Sequence, residues 1–354
     1  MSKIREFLIR KDIVISGKRY GIDAMSAMAN GLFASLLIGT IISTIGKQVG
    51  LQFLVQIGDY ASAVKGAAMA IAIAYALNSP PLVMFSLAAV GSAADALGGD
   101  AGGPLAVFII AIIAAEIGKA ISKETKVDII VTPIITICVG CALAMLIAPP
   151  VGRAASAIGG AIMWATELQP FLMGVIVAVI VGVALTLPIS SAAICAALGL
   201  TGLAGGAAVA GCCAQMVGFA VMSYRENKFG GLIAQGLGTS MLQMGNIVRN
   251  PKIWIPPTIA SAVCGPIATC VFGLQMNGAA VSSGMGTCGL VSQIGVYTGW
   301  LTEIENGIRT SITYFDWIGL ALISFILPAI ITLLVAAPMR KFGLIKQNDL
   351  KLDI

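Results

Sequence analysis

The chain has 354 residues, of which 58% are hydrophobic and only 10% charged, with 42 glycines, no histidine and a formal net charge of +5. Ordinary globular domains carry roughly 25% charged residues; so few charges cannot cover a 36.2 kDa body in water, and a mean hydropathy of +0.97 makes lipid the main solvent. A soluble enzyme and a nucleic-acid reader are excluded, as are histidine-based acid–base chemistry, histidine–metal sites and histidine phosphorylation within this chain.

Lys3, Arg5, Arg10, Lys11, Lys18 and Arg19 precede the first apolar run, about 24–46. That run is too long for a signal-peptide core and lacks a cleavage site, so it reads as a span. A helix crosses the hydrocarbon with about 20 apolar residues, and further spans are expected at about 104–121, 128–148, 170–188, 204–222, 254–274 and 314–338. Within 51–98 the string Asn78-Ser79-Pro80-Pro81 interrupts the apolar pattern, because proline lacks the N–H and clashes with the preceding turn. Splitting the segment there places four crossings before Lys119, Lys123 and Lys126, which brings them to the side of the N-terminus. Basic clusters mark cytoplasmic flanks, so that side, and the end carrying Arg340, Lys341, Lys346 and Lys351, are expected in the cytoplasm.

Parity then fails near 188–203 and 276–300, which are rich in Gly, Ser and Pro yet apolar. Irregular backbone at membrane depth survives only where protein or a water-filled cavity satisfies it, so both stretches are expected to be re-entrant hairpins. The fold class is therefore all-α: a polytopic helical membrane protein with about 8–10 transmembrane helices in the lipid bilayer. A first part covers 1–150, and a second, 151–354, carries most of the polar motifs. Segments 150–166 and 225–250 read as interfacial helices or linkers.

The eight cysteines sit mostly in apolar runs. Cys138 and Cys141 form a C-x-x-C, but without a second pair or a histidine they read as packing thiols. No metal, cofactor or disulfide framework is implied. Asp95 to Pro104 is a glycine-rich turn with two carboxylates and no base, and Glu116 can neutralise Lys119 one helical turn later.

The polar groups left inside the spans are amides and hydroxyls. Glu167 and Gln169 stand before the helix opening at Pro170, where a carboxylate meets the positive end of the dipole. Pro188 breaks an apolar run beside Ser190 and Ser191, the kind of interruption that points to binding sites in secondary transporters. Gln215, Gln235, Gln243, Asn246, Asn250, Asn277 and Gln293 each offer donor and acceptor. Singly they read as interhelical hydrogen bonds; as a set they suit a polar cavity for a neutral, polyhydroxylated solute. Thr239 and Thr287 close two G-x-G-T strings 48 residues apart, a repeat that reads either as chance in so glycine-rich a chain or as a relic of duplicated hairpins. Asn250 to Pro257 combines a turn, an interfacial Trp254 and a rigid start to a span. The expected solute contacts are Glu167, Gln169, Ser190, Ser191, Gln215, Gln235, Thr239, Asn250, Asn277 and Thr287.

Several of these strings together carry a resemblance: Ser122 to Pro133, Gln169 to Gly174, Leu187 to Ala193, Ala234 to Ser240, and Asn250 to Pro257. They resemble the membrane (IIC) component of bacterial phosphotransferase-system sugar transporters, most closely the IIC-like family of the perfringolysin regulator PfoR. The resemblance spans most of the chain. It implies a homodimer in the bacterial plasma membrane, a scaffold part and a mobile substrate part that moves elevator-fashion, and a cytoplasmic IIB-like partner that phosphorylates the sugar. Those relatives commonly place a histidine and a glutamate beside the sugar. The absent histidine argues against phosphoryl coupling, and an alternative is a PfoR-like membrane sensor of gene expression that has lost transport.

Overall fold

The computed structural model describes residues 3–352. Among them the chain is helical, with one isolated bridge between Gly202 and Met276 in place of any strand. It divides into two compact units, Met1–Ala155 and Ser156–Ile354.

In the first unit a short amphipathic helix, α1 (Lys3–Arg10), precedes α2 (Arg19–Val49). Gly50, at φ 74, reverses the chain into α3 (Gln52–Ala63) and α4 (Lys65–Ala76), which are bent by 47° at Val64. The reversal brings backbones close: Gly58 of α3 lies against Gly39 and Ser43 of α2, and Gly46 against Leu54. As the two prolines dictate, α4 ends at Ala76 and α5 (Pro81–Ile121) starts afresh, packed antiparallel with Gly66 against Gly91.

Helix α5 is 41 residues long but is not one rod, since Gly99 sits at φ 67. Beyond it Gly103 lies against Asp95 and Gly118 against Val83, so the two arms run antiparallel as a hairpin. Only a residue without Cβ takes that φ cheaply. Helix α6 (Asp128–Thr166) packs along the second arm, with Gly152 against Gly98 at one end and Thr136 against Gly118 at the other. Its outer face exposes Ile129, Ile130, Ile134 and Leu146, as a lipid-facing helix does.

Six helices among the described residues are long and apolar enough to cross a membrane, and the bent α3–α4 pair makes a seventh. Separating the arms at Gly99 raises the number of traverses to eight; the 17-residue Pro170–Thr186 helix falls short of the length of those spans. The chain is thus a multi-pass, all-helical membrane protein.

A clamp of charges closes the first unit. Arg10 and Lys11 reach Glu124 at 2.8 and 2.5 Å. Lys119 is 1% exposed, yet its ammonium is satisfied by Glu116 at 3.0 Å, Asp12 O at 2.7 Å and Leu77 O at 3.0 Å. Arg19 forks onto Asp12 at 3.1 and 2.6 Å and also donates to Leu77 O at 2.6 Å. The α1 end, the Asn78 turn and the 122–127 loop therefore share one end of the unit, as four intervening crossings require.

The Arg19 hydrogen bond holds the Asp12 carboxyl down at about 2, below its ordinary 3.8. A lowered folded value gives stability that is present above the unfolded value and lost as pH falls through the folded one. Asp12→Asn is therefore expected to melt below the parent at pH 7, with a gap that holds down to about pH 4 and closes toward pH 2. Melting curves across that range check it, and the gap is small because Asp12 is 47% exposed and screened by solvent.

Candidate functional site

Three stretches of the second unit lack regular helix, each at residues that cannot continue one. The first follows α7 (Pro170–Thr186), where Leu187-Pro188 breaks the run before α8 (Ser191–Ala197). The second lies between α10 (Tyr224–Ile233) and α11 (Met244–Arg249), where the chain passes through a π turn at Ala234–Gly238 and a 3-10 turn at Ser240–Gln243. The third is the Gly286–Leu290 turn before α13 (Val291–Glu305), with Gly286, Gly289 and Leu290 at φ 58, 50 and 59.

Packing shows where these breaks go. Helix α9 (Gly202–Met222) is almost wholly buried at the centre of the unit. Gly182 of α7 lies against Gly211 and Gln215, and Ala178 against Gly211, so α7 and α9 run parallel. Residues 187–201 must then travel back along the unit, which makes α7–α8 a re-entrant hairpin. Helix α12 (Pro251–Val271) runs antiparallel to both, with Gly265 against Gly174, and Ser261 Oγ donating to Gly211 O at 3.1 Å. Residues 276–284 and α13 form a second hairpin from the same end, with Gly299 against Asn277 and Gly295 against Ser282. Both stretches expected to be irregular, 188–203 and 276–300, therefore contain a reversal of the chain.

Segment 225–250, expected to be an interfacial helix or linker, folds back on α9 from the opposite end. It reaches far enough in for Ser240 to touch Thr186 at 2.8 Å. An unwound stretch of Gly and small residues hides this depth, because its polar backbone is satisfied by partners far away in the chain.

The three tips meet beside the middle of α9. Ser191 Oγ donates to Gly284 O at 2.8 Å, Ser283 Oγ to Leu200 O at 2.6 Å, and Thr287 Oγ1 to Gly236 O. The two G-x-G-T strings are therefore in contact. A Cβ on Gly286 would stand 2.9 Å from the Cys212 backbone, so glycine is what lets the third tip seat on α9. Gln215 is the hub: its Oε1 accepts from Trp254 Nε1 at 3.0 Å and Thr186 at 3.3 Å, while Nε2 donates to Thr258 and Ser261 at 3.3 Å. Trp254, expected at the interface, thus points its indole inward. Thr186, Gln215, Ser240 and Thr287 are 0% exposed, so the junction is closed and its polar groups bind one another.

The expected contacts separate into four places. Ser191, Gln215 and Thr287 converge at the junction; Ser190 and Thr239 lie in its tips as local caps, accepting from Ala193 N at 3.2 Å and Met241 N at 3.1 Å. Gln235 and Asn250 belong to an amide row that holds the C-terminal segment, with Asn250 Nδ2 on Asp349 at 2.7 Å. Asn277 sits at the other end of the unit. It accepts from Gly202 N at 3.0 Å and donates to Glu303, beside an open pocket of about 320 Å³ lined by Gln275, Glu303, Arg309 and Thr310. Glu167 and Gln169 are exposed before α7, at the opposite end of that helix from Thr186. Thr186, Ser240, Glu303 and Arg309 were not singled out from the sequence. Thr186 and Ser240 flank signals that were visible, Pro188 and the first G-x-G-T. No group of three or more acids or cysteines among the described residues is placed to hold a metal.

Helices long and apolar enough to cross a membrane, with broken segments packed on a central small-residue helix, define an integral membrane protein. The chain belongs to the phosphotransferase-system EIIC family: the family model described as "Phosphotransferase system, EIIC" matches residues 22–352. EIIC domains are the membrane transport component of such systems, not catalytic, and work with IIB partners. No curated protein and no solved structure matches the chain significantly.

Gln215→Leu leaves the Trp254 indole without its partner, at a cost of about 1–3 kcal/mol. The expected outcome is a lower melting temperature in detergent. Trp254→Phe should then cost less in the Gln215→Leu background than in the parent, because the donor it removes has already lost its acceptor.

Proposed function

We propose that the chain carries a small polar, carbohydrate-like solute across the bacterial plasma membrane by an elevator-type movement of its second unit, both termini lying in the cytoplasm. The observation that carries this reading is the junction itself. Three re-entrant tips bring hydroxyls and amides, and no charged side chain, to one buried place. Such groups replace the hydration of a neutral polyol, since each can donate or accept. The solute would part the tips and exchange their mutual hydrogen bonds for its own, with Thr186, Ser191, Gln215, Thr239, Ser240 and Thr287 as partners.

The first unit then serves as the scaffold and dimer contact, its helices locked through glycine contacts and the charge clamp. A homodimer and a cytoplasmic IIB-like partner follow from the resemblance to sugar-transporting IIC proteins. With no histidine in the chain, any phosphoryl step falls to that partner.

Saturable uptake of at least one neutral sugar or polyol into proteoliposomes is the expected result. Thr287→Val and Ser191→Ala, which keep volume but remove the hydroxyl, should each lower uptake about tenfold, equivalent to about 1.4 kcal/mol of lost binding. Failure of every sugar and polyol to bind would sink the carbohydrate reading. Changed gene expression on deletion, with uptake unaltered, would favour a sensor instead.

A further inference from the structure

The C-terminal segment is bound in a way that the transport reading does not use. Helix α14 (Tyr314–Lys341) delivers the chain at Arg340, whose guanidinium forks onto Glu226 at 2.9 and 3.2 Å and donates to Met222 O at 2.9 Å. Gly343, at φ 69, then turns the chain back across α10 and α11. Ile345, Leu350 and Leu352 are buried while Lys346 and Lys351 face out.

No strand lies beside this segment to bond its backbone. Side-chain amides do so instead. Leu350 O accepts from Asn227 Nδ2 at 2.7 Å and Gln243 Nε2 at 3.0 Å, and Lys351 O accepts from Asn246 Nδ2 at 2.9 Å. Asn227 Oδ1 in turn accepts from Leu352 N at 2.8 Å, and Asn250 Nδ2 donates to Leu344 O at 3.1 Å.

The same row continues inward. Asn246 donates to Gln243 Oε1, Gln243 to Gln235 Oε1, and Gln235 to Ser223 Oγ, each at 2.8 Å. Gln235 directly precedes Gly236, whose carbonyl receives the Thr287 hydroxyl. One amide, Gln243, thus bonds the tail on one side and the tip-bearing segment on the other.

We propose that residues 344–352 are a removable latch: seated on the amide row, the tail pins the 234–243 break under the Thr287 tip, and its release opens the junction from the tail end. The geometry suits release. The segment is held by side-chain amides, whose bonds water or another extended peptide can replace. While it is seated, Gln235 and Gln243 keep one arrangement, and Ser240 stays on Thr186. When it leaves, Gln243 and Asn246 lose the Leu350 and Lys351 carbonyls, and α10–α11 lose the cover of Ile345, Leu350 and Leu352. The inference does not depend on the solute, and its readout is thiol access rather than uptake.

Cys288 follows Thr287 at the tip and is 1% exposed. With the other seven cysteines replaced by alanine, its maleimide labelling in purified protein reports the junction. The full chain should label slowly. A chain ending at Phe342, and separately Asn227→Ala combined with Asn246→Ala, should label at least ten times faster. A synthetic peptide of residues 343–352 should restore protection to the shortened chain. Equal rates in a shortened chain that remains folded and monodisperse overturn the proposal. If shortening prevents folding, the double alanine variant decides, with Leu350→Cys reporting whether the tail has left. A tail that stays seated, or one that leaves while Cys288 stays protected, overturns the proposal equally.

Discussion

A peptide group in hydrocarbon has no water to bond, so every break in a membrane helix needs a partner supplied by the fold. The second unit depends on that constraint. Its breaks at 187–190, 234–243 and 285–290 would each be untenable alone, and each is satisfied by the other two. Thr287 bonds the Gly236 carbonyl, Ser191 the Gly284 carbonyl, and Thr186 pairs with Ser240. Helix α9 makes the meeting possible because it is built from glycine, alanine and cysteine. Gly206 lies against the Leu274 carbonyl and Gly211 against the Ala178 backbone, contacts that any side chain would prevent.

The distribution of charge follows from the same solvent. At one end of the first unit Arg10 and Lys11 pair with Glu124, Arg19 with Asp12 and Lys119 with Glu116 around the Asn78 turn, while Lys65 pairs with Asp95 toward the Gly99 turn. The junction of the second unit uses neutral groups only. Hydrogen bonds between membrane helices average about 0.6 kcal/mol each, so a network of hydroxyls and amides can rearrange at modest cost. Ion pairs in that place would resist rearrangement, because separating them leaves bare charge in hydrocarbon. A closed junction of weak bonds, flanked by rigid glycine-packed helices, is an arrangement suited to opening and closing around a neutral solute.

Much of the fold was legible along the chain. Asn78-Ser79-Pro80-Pro81 marked a reversal because proline ends helices locally, and the Asp95–Pro104 glycines marked a tight turn, now a hairpin at Gly99. The breaks in helix within 188–203 and 276–300 showed through failed parity combined with irregular composition. Segment 225–250 reads as an interfacial helix or linker because of Arg225, Glu226 and Lys228, whereas its uncharged stretch 238–247 is buried. The site was only partly legible: Ser191, Gln215 and Thr287 converge, but Gln235 and Asn250 serve the C-terminal segment, and Glu167 and Gln169 lie at an exposed helix start. An amide announces that it needs partners, and nothing local says whether they will be a solute, a neighbouring helix or the chain's own tail.

The sequence by itself determined the solvent, the approximate positions of the apolar segments, the places where helix must break and the absence of histidine chemistry. Those properties are local or compositional: hydropathy, proline geometry, glycine at positive φ, a residue count. Only the tertiary structure decided that α7 and α9 run parallel, that three broken segments bond one another beside α9, and that the two G-x-G-T strings touch each other. It also decided that the tail lies on the amides between them. Each of these is a pairing between residues dozens of positions apart, set by which buried donor reaches which acceptor once the helices have packed.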